Sequence, residues 1–129
     1  MLRSVKTLSA IILLSALMLL GVGQQISQSL KVTCTNEERA RLLAPGGEHA
    51  AVMFLRDCGP DTGVSLQVSI MRAERETSNL PGNVLATDQV EPDYALNWVD
   101  AHTLEIGNVT GQVIRQREQL DDFTIRYVP

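Results

Sequence analysis

RDCGPDTGVSLQVSI, residues 56–70, is the stretch on which the fold turns. Its second half alternates strictly, with Val64, Leu66, Val68 and Ile70 apolar and Ser65, Gln67, Ser69 and Met71 between them. That is the period of a β-strand with one apolar face. Its first half, CGPDTG, packs a proline and two glycines into six residues, which is loop composition. On the other side, HAAVMFL at 49–55 is a continuous apolar run of strand length, as expected of a central strand covered on both faces. The stretch is therefore expected to be the turn of a hairpin, with Cys58 closing one strand. It also contains the tripeptide Asp61-Thr62-Gly63.

The pattern continues beyond the hairpin. A short strand is expected at 84–87, a second hairpin from Tyr94–Val99 and Thr103–Ile106 around Asp100-Ala101-His102, and two further strands at 112–117 and 123–128. Ala73 to Asn79 is a charged loop. Before the first hairpin, Thr35-Asn36-Glu37-Glu38 matches a helix capping box, and Arg39 and Arg41 follow where cations suit a helix C-terminus. This predicts one short helix to about Leu43, ended by Pro45-Gly46-Gly47. The expected class is mainly β with a minor α contribution. Sequential strands with short links pair with their neighbours, so the expected architecture is one small domain built as an antiparallel meander.

The N-terminus has the form of a targeting segment. Arg3 and Lys6 precede an apolar run from Leu8 to Val22, and small residues at 21 and 23 fit a signal cut near Gly23. The alternative is an uncleaved signal anchor crossing the membrane through residues 8–23. In both cases the positive flank stays inside and the rest faces outward, into a periplasm or outside the cytoplasmic membrane. The expected organisation is thus 1–23 signal peptide or anchor, 24–33 linker and 34–129 exported domain. The net charge is −4, and removing Arg3 and Lys6 makes it more negative. An acidic, unclustered surface argues against nucleic acid and anionic headgroups as partners. The two cysteines, Cys34 and Cys58, both lie in the exported part, where one disulfide is the default. By the chain-entropy argument, closing a loop of about 25 residues contributes about 3 kcal/mol.

Asp61-Thr62-Gly63 resembles the active-site tripeptide of aspartic peptidases, enzymes that need two carboxylates sharing one proton. A chain of this size would have to dimerise to supply the second, and Leu104-Glu105-Ile106-Gly107 carries a charge where such a supporting motif is apolar. Asp-Thr-Gly is also ordinary turn chemistry, since aspartate bonds its own backbone and glycine accepts positive φ. A thiol enzyme at Cys58 needs an activating base. His49 lies at the far end of the preceding strand, and His102 could approach only through the tertiary fold. Two isolated histidines and two cysteines 24 positions apart give no zinc spacing, and no cofactor motif occurs. Asp57 and Asp61 are expected to be solvated turn carboxylates. Arg56 and Asp57 are expected to rim the disulfide, and Asn108-Val109-Thr110 to be an ordinary turn.

Three segments together, RDCGPDTGVSLQVSI at 56–70, LPGNVLATD at 80–88 and NWVDAHTLEIGN at 97–108, resemble a family of small uncharacterised bacterial envelope proteins. Its members pair an N-terminal hydrophobic segment with an Arg-Asp-Cys-Gly turn, a Pro-Gly-Asn-Val strand and a Trp-x-Asp hairpin. The resemblance implies export and one fold across most of residues 34–127, and no activity. A typical member has Gly-Ala-Thr-Thr-Gly where this chain has Gly59-Pro60-Asp61-Thr62-Gly63, which weighs against an essential Asp61. A weaker likeness, of LLAPGGEHAAVMF and NWVDAHTLEI to single β-propeller blades, is shared hairpin chemistry, since one blade closes no propeller.

The function expected from these readings is binding of an envelope protein partner by a non-enzymatic domain. The candidate functional loop is Arg56, Asp57, Asp61 and Thr62. The alternative is an enzyme acting through Asp61 or Cys58.

Overall fold

The computed structural model describes residues 33–129. The expected signal or anchor, and all of the linker but Thr33, lie outside the described residues. Nine strands follow in chain order: β1 (Thr35–Leu43), β2 (His49–Asp57), β3 (Val64–Arg72), β4 (Leu85–Thr87), β5 (Ala95–Asp100), β6 (Thr103–Gly107), β7 (Val113–Gln116), β8 (Gln119–Leu120) and β9 (Phe123–Tyr127). They form a five-stranded sheet, β1-β2-β3-β4-β7, and a four-stranded sheet, β5-β6-β9-β8. The mainly-β class and the Cys34–Cys58 disulfide are as expected from the sequence.

The alternation in β3 does what its period requires. Leu66, Val68 and Ile70 join Ala51 and Met53 of β2 on the inner face of the large sheet, against Leu104, Ile106, Phe123 and Ile125 of the small one. Val84, Leu85 and Tyr94 complete this core. The Tyr94 hydroxyl is buried and donates to the Leu66 carbonyl at 2.7 Å. Among the described residues no buried side-chain nitrogen or oxygen lacks a hydrogen-bond partner, as a compact fold demands.

Two expectations are corrected. Residues 35–43 are the edge strand β1, antiparallel to β2, and the described residues contain no helix. A β-bulge between Glu38 and Ala40 adds one residue to the strand and so places Glu38 and Arg41 on the same face. An i,i+3 pair of opposite charge and a Thr-x-x-Glu box imitate a helical turn, but here they belong to a bent strand. The second correction concerns order. β7 does not pair with β9; it crosses to the large sheet and pairs with β4. β9 instead runs parallel to β6, and the intervening residues 108–122 supply the long crossover that a parallel pair needs. Alternation shows which side chains face a core, not which of two sheets owns a strand.

Candidate functional site

The 56–63 loop is built as a turn. The Asp57 carboxylate accepts from the Gly59 amide at 2.9 Å, and Gly63 donates its amide to the Gly59 carbonyl at 3.0 Å. Gly63 has φ of 80°, a conformation that favours glycine and explains the last residue of the tripeptide. Asp61 and Thr62 are exposed at the tip. Cys58 is bonded to Cys34 and has no thiol to offer. Arg56 points elsewhere: its guanidinium donates to the Asn36 side-chain oxygen at 2.9 Å and to the Asn79 carbonyl at 2.8 Å. The four residues of the expected functional loop therefore do not converge. Arg56 joins a clamp, Asp57 shapes the turn, and Asp61 and Thr62 face solvent.

The clamp holds the segment 73–83, which follows β3 and is called the strap below. Asn36 donates its side-chain amide to the carbonyls of Ser78 at 2.6 Å and Leu80 at 2.7 Å. Glu38 accepts from Thr77 and from Arg41. The Arg41 and Thr77 bonds hold the Glu38 carboxyl below the usual carboxylate range. Arg41 also donates to the Ala73 carbonyl at 3.2 Å. At its end the strap turns under the sheet, where Gly82 donates to Gln67 at 2.7 Å and Asn83 to Ser69 at 3.1 Å. These bonds lay the strap over the outer face of the large sheet, where Ala50, Val52 and Phe54 are buried beside Met71 and Ala73.

The opposite end of β2 gathers the chain's two histidines. His49 opens β2, and β2 is nine residues long, so at about 3.3 Å per residue His49 stands some 26 Å from Asp57. Its ring packs edge-on against Phe123, centroids 5.0 Å apart. His102, from the β5–β6 turn, lies 5.7 Å from the same ring, and Trp98 6.0 Å. The turns bring them there. The Asp100 carboxylate accepts from the His102 amide at 2.8 Å and is held below its usual range chiefly by that bond. The His102 Nε2 stands 3.2 Å from an Asp122 carboxylate oxygen. One hollow of about 210 Å³ is lined by Pro45, Glu48, His49, His102, Asp122 and Phe123. A larger cleft of about 390 Å³ shares His49 and Phe123 and runs beneath the strap, past Met71, Arg72, Arg75 and Leu80. Such a volume falls in the range of small-molecule and peptide-anchor sites.

Two imidazoles, two carboxylates and an aromatic ring line the hollow, and Arg72 and Arg75 flank the cleft. Among the described residues no three or more His, Cys, Asp or Glu stand close enough to share a metal ion. No helix among them is long and apolar enough to cross a membrane. The sequence offered one cue to this site, in that both histidines sit beside turn signals, His49 after Pro45-Gly46-Gly47 and His102 after Asp100-Ala101. Turns that end strands of one sandwich meet at its ends.

These features define the class: a small two-sheet β-sandwich with one cross-strand disulfide and a histidine-lined end. Comparison with the models of known protein families, with characterised proteins and with solved structures finds no match for this chain.

Proposed function

We propose that this chain is an exported bacterial envelope domain, freely periplasmic or anchored to the cytoplasmic membrane, that works by binding another envelope protein rather than by catalysis. The observation that carries the reading is the joined hollow and cleft around His49 and Phe123, a concavity formed where three separate turns meet. Support for export comes from the apolar N-terminal run behind Arg3 and Lys6, from a disulfide that persists in oxidising compartments, and from the resemblance to envelope proteins. The enzyme alternative gains nothing from the 56–63 loop, where Cys58 is disulfide-bonded and Asp61 stands exposed on a turn.

The test must avoid amine chemistry, because the only lysines are Lys6 and Lys31 and residues 33–129 have none. A photoreactive amino acid placed at Ala101, beside the hollow, and in a second strain at Asp61, would be activated in intact cells. The proposal predicts one discrete crosslinked partner from position 101 and none in common with position 61. Identical crosslinks from both positions, or none from position 101, would refute it.

A further inference from the structure

The outer face of a sandwich sheet is ordinarily half solvated, yet Ala50, Val52 and Phe54 are no more than 1% exposed on that face of β2. Ala73 of the strap packs on them, and Thr77, Ser78, Leu80 and Pro81 line the cleft with Phe54. Residues 78–80 are held from one cross-strand pair, Asn36 of β1 and Arg56 of β2, which stand opposite each other in register. Thr35 and Asp57 are the next pair along. Cys34 and Cys58 follow, so the disulfide lies two residues from the Asn36–Arg56 pair and on the same face. Both cysteines are partly exposed. β1 is an edge strand, bound to the large sheet only through β2.

We propose that the Cys34–Cys58 disulfide is a redox latch on the strap: it fixes the Asn36–Arg56 clamp, and its reduction frees residues 78–80 and loosens the strap over the Val52–Phe54 face. The reductant is a dithiol. Its thiolate attacks one cysteine sulfur, expels the other as thiolate and forms a mixed disulfide. Its second thiol then displaces the remaining cysteine, so the donor leaves as a disulfide and both cysteines end as thiols, two electrons and two protons having been transferred. With the covalent tie gone, the unpaired end of β1 frays, as strand ends at sheet edges do. Asn36 can then no longer hold both strap carbonyls, and Arg56 loses the Asn36 oxygen that orients it. Only Glu38 and Arg41 then hold the strap between Ala73 and Gly82, so the whole segment lifts more readily.

The strap carries a trypsin site at Arg75, and a protease must draw several residues on each side of the cut bond into extended form. Cleavage after Arg75 therefore reports lifting of the strap, while the emission of Trp98, the only tryptophan, reports the core. Dithiol treatment of the full chain is expected to speed cleavage after Arg75 by about tenfold or more, the loss of one or two charge-assisted hydrogen bonds, with Trp98 emission unchanged. In the oxidised protein, Arg56→Ala is expected to speed the same cleavage with the disulfide intact. Equal cleavage rates before and after reduction would overturn the latch. So would loss of the native Trp98 emission together with the strap, which would make the disulfide a global staple. An Arg56→Ala protein as resistant as wild type would overturn the clamp that links the two.

Discussion

Gly82 shows how a single residue is fixed by its surroundings. A Cβ built there would stand 2.8 Å from the Val68 carbonyl oxygen and 3.1 Å from that of Leu85, and backbone cannot yield as a flexible side chain can. Gly82→Ala is expected to destabilise the domain by about 1–3 kcal/mol, the usual penalty of overpacking, read from urea unfolding followed by Trp98 emission. The chain's two tyrosines give a second residue-scale test. Burial pushes the Tyr94 hydroxyl up, and burial also pushes Tyr127 up to about 12. A tyrosine raised on folding stabilises fully below its unfolded pKa, and the contribution is lost as pH rises from that value through the folded one. Near-ultraviolet absorbance is therefore expected to show less tyrosinate at about pH 10 in the native protein than in the unfolded one. Stability is expected to fall from about that pH up to the folded pKa values. Normal ionisation of both tyrosines in the native state would contradict the burial described. Alternation placed Tyr127 with Phe123 and Ile125 on the inward face of its strand, but it did not tell how far from solvent either tyrosine finishes.

At the scale of elements, β1 is where sequence and structure part. Its capping box, late arginines and Pro-Gly-Gly stop are all helix signals, and each is met differently. Glu38 reaches Thr77 on the strap, Arg39 donates to the Val90 carbonyl at 2.8 Å and to Asp93 at 2.7 Å, and Gly46 and Gly47 form the β1–β2 turn. One sequence feature does favour the strand: Gly46 stands twelve residues from each cysteine, the symmetry of a hairpin with a cross-strand disulfide. Tertiary pairing outweighs a local propensity worth only tenths of a kcal/mol per residue. The hairpin around 56–63, by contrast, was legible throughout, since its alternation and turn residues agree. The strap clamp gives the element-scale prediction. Glu38 has a depressed carboxyl, so it stabilises the fold above its unfolded pKa, and that contribution is lost as pH falls through the lower folded value. Glu38→Gln is expected to cost about 0.5–1 kcal/mol near neutrality, discounted for partial exposure, and nothing once wild-type Glu38 is protonated. Urea midpoints of the two proteins compared from neutral pH into acid should converge. A gap that stays constant would place the contribution elsewhere.

The whole molecule is small, and few contacts carry it. Phe123 touches His49, His102 and Trp98 and is part of the core between the sheets. Phe123→Ala is expected to cost about 3–5 kcal/mol, the range for a buried phenylalanine, and to collapse the hollow with it. His102→Gln removes the partner of Asp122 at an exposed site and is expected to change stability by less than about 0.5 kcal/mol. It thereby separates the proposed binding at that end from folding. The convergence of the histidines was beyond the sequence because it depends on the β6–β9 crossover, which joins turns 20 residues apart (102 and 122) at one end of the sandwich. The existence of a core, its strand faces and its disulfide needed only local pattern and cysteine count.

The central claim, an exported and disulfide-bonded binding domain, is tested most directly by the intact mass of the native protein. It would be taken from membrane and soluble envelope fractions after alkylation without reductant. The account predicts no alkyl groups on Cys34 or Cys58 and recovery outside the cytoplasm, whether the N-terminal segment is retained or removed. Two alkyl groups on protein recovered from the cytoplasm would contradict it, and would return Cys58 to consideration as a reactive thiol.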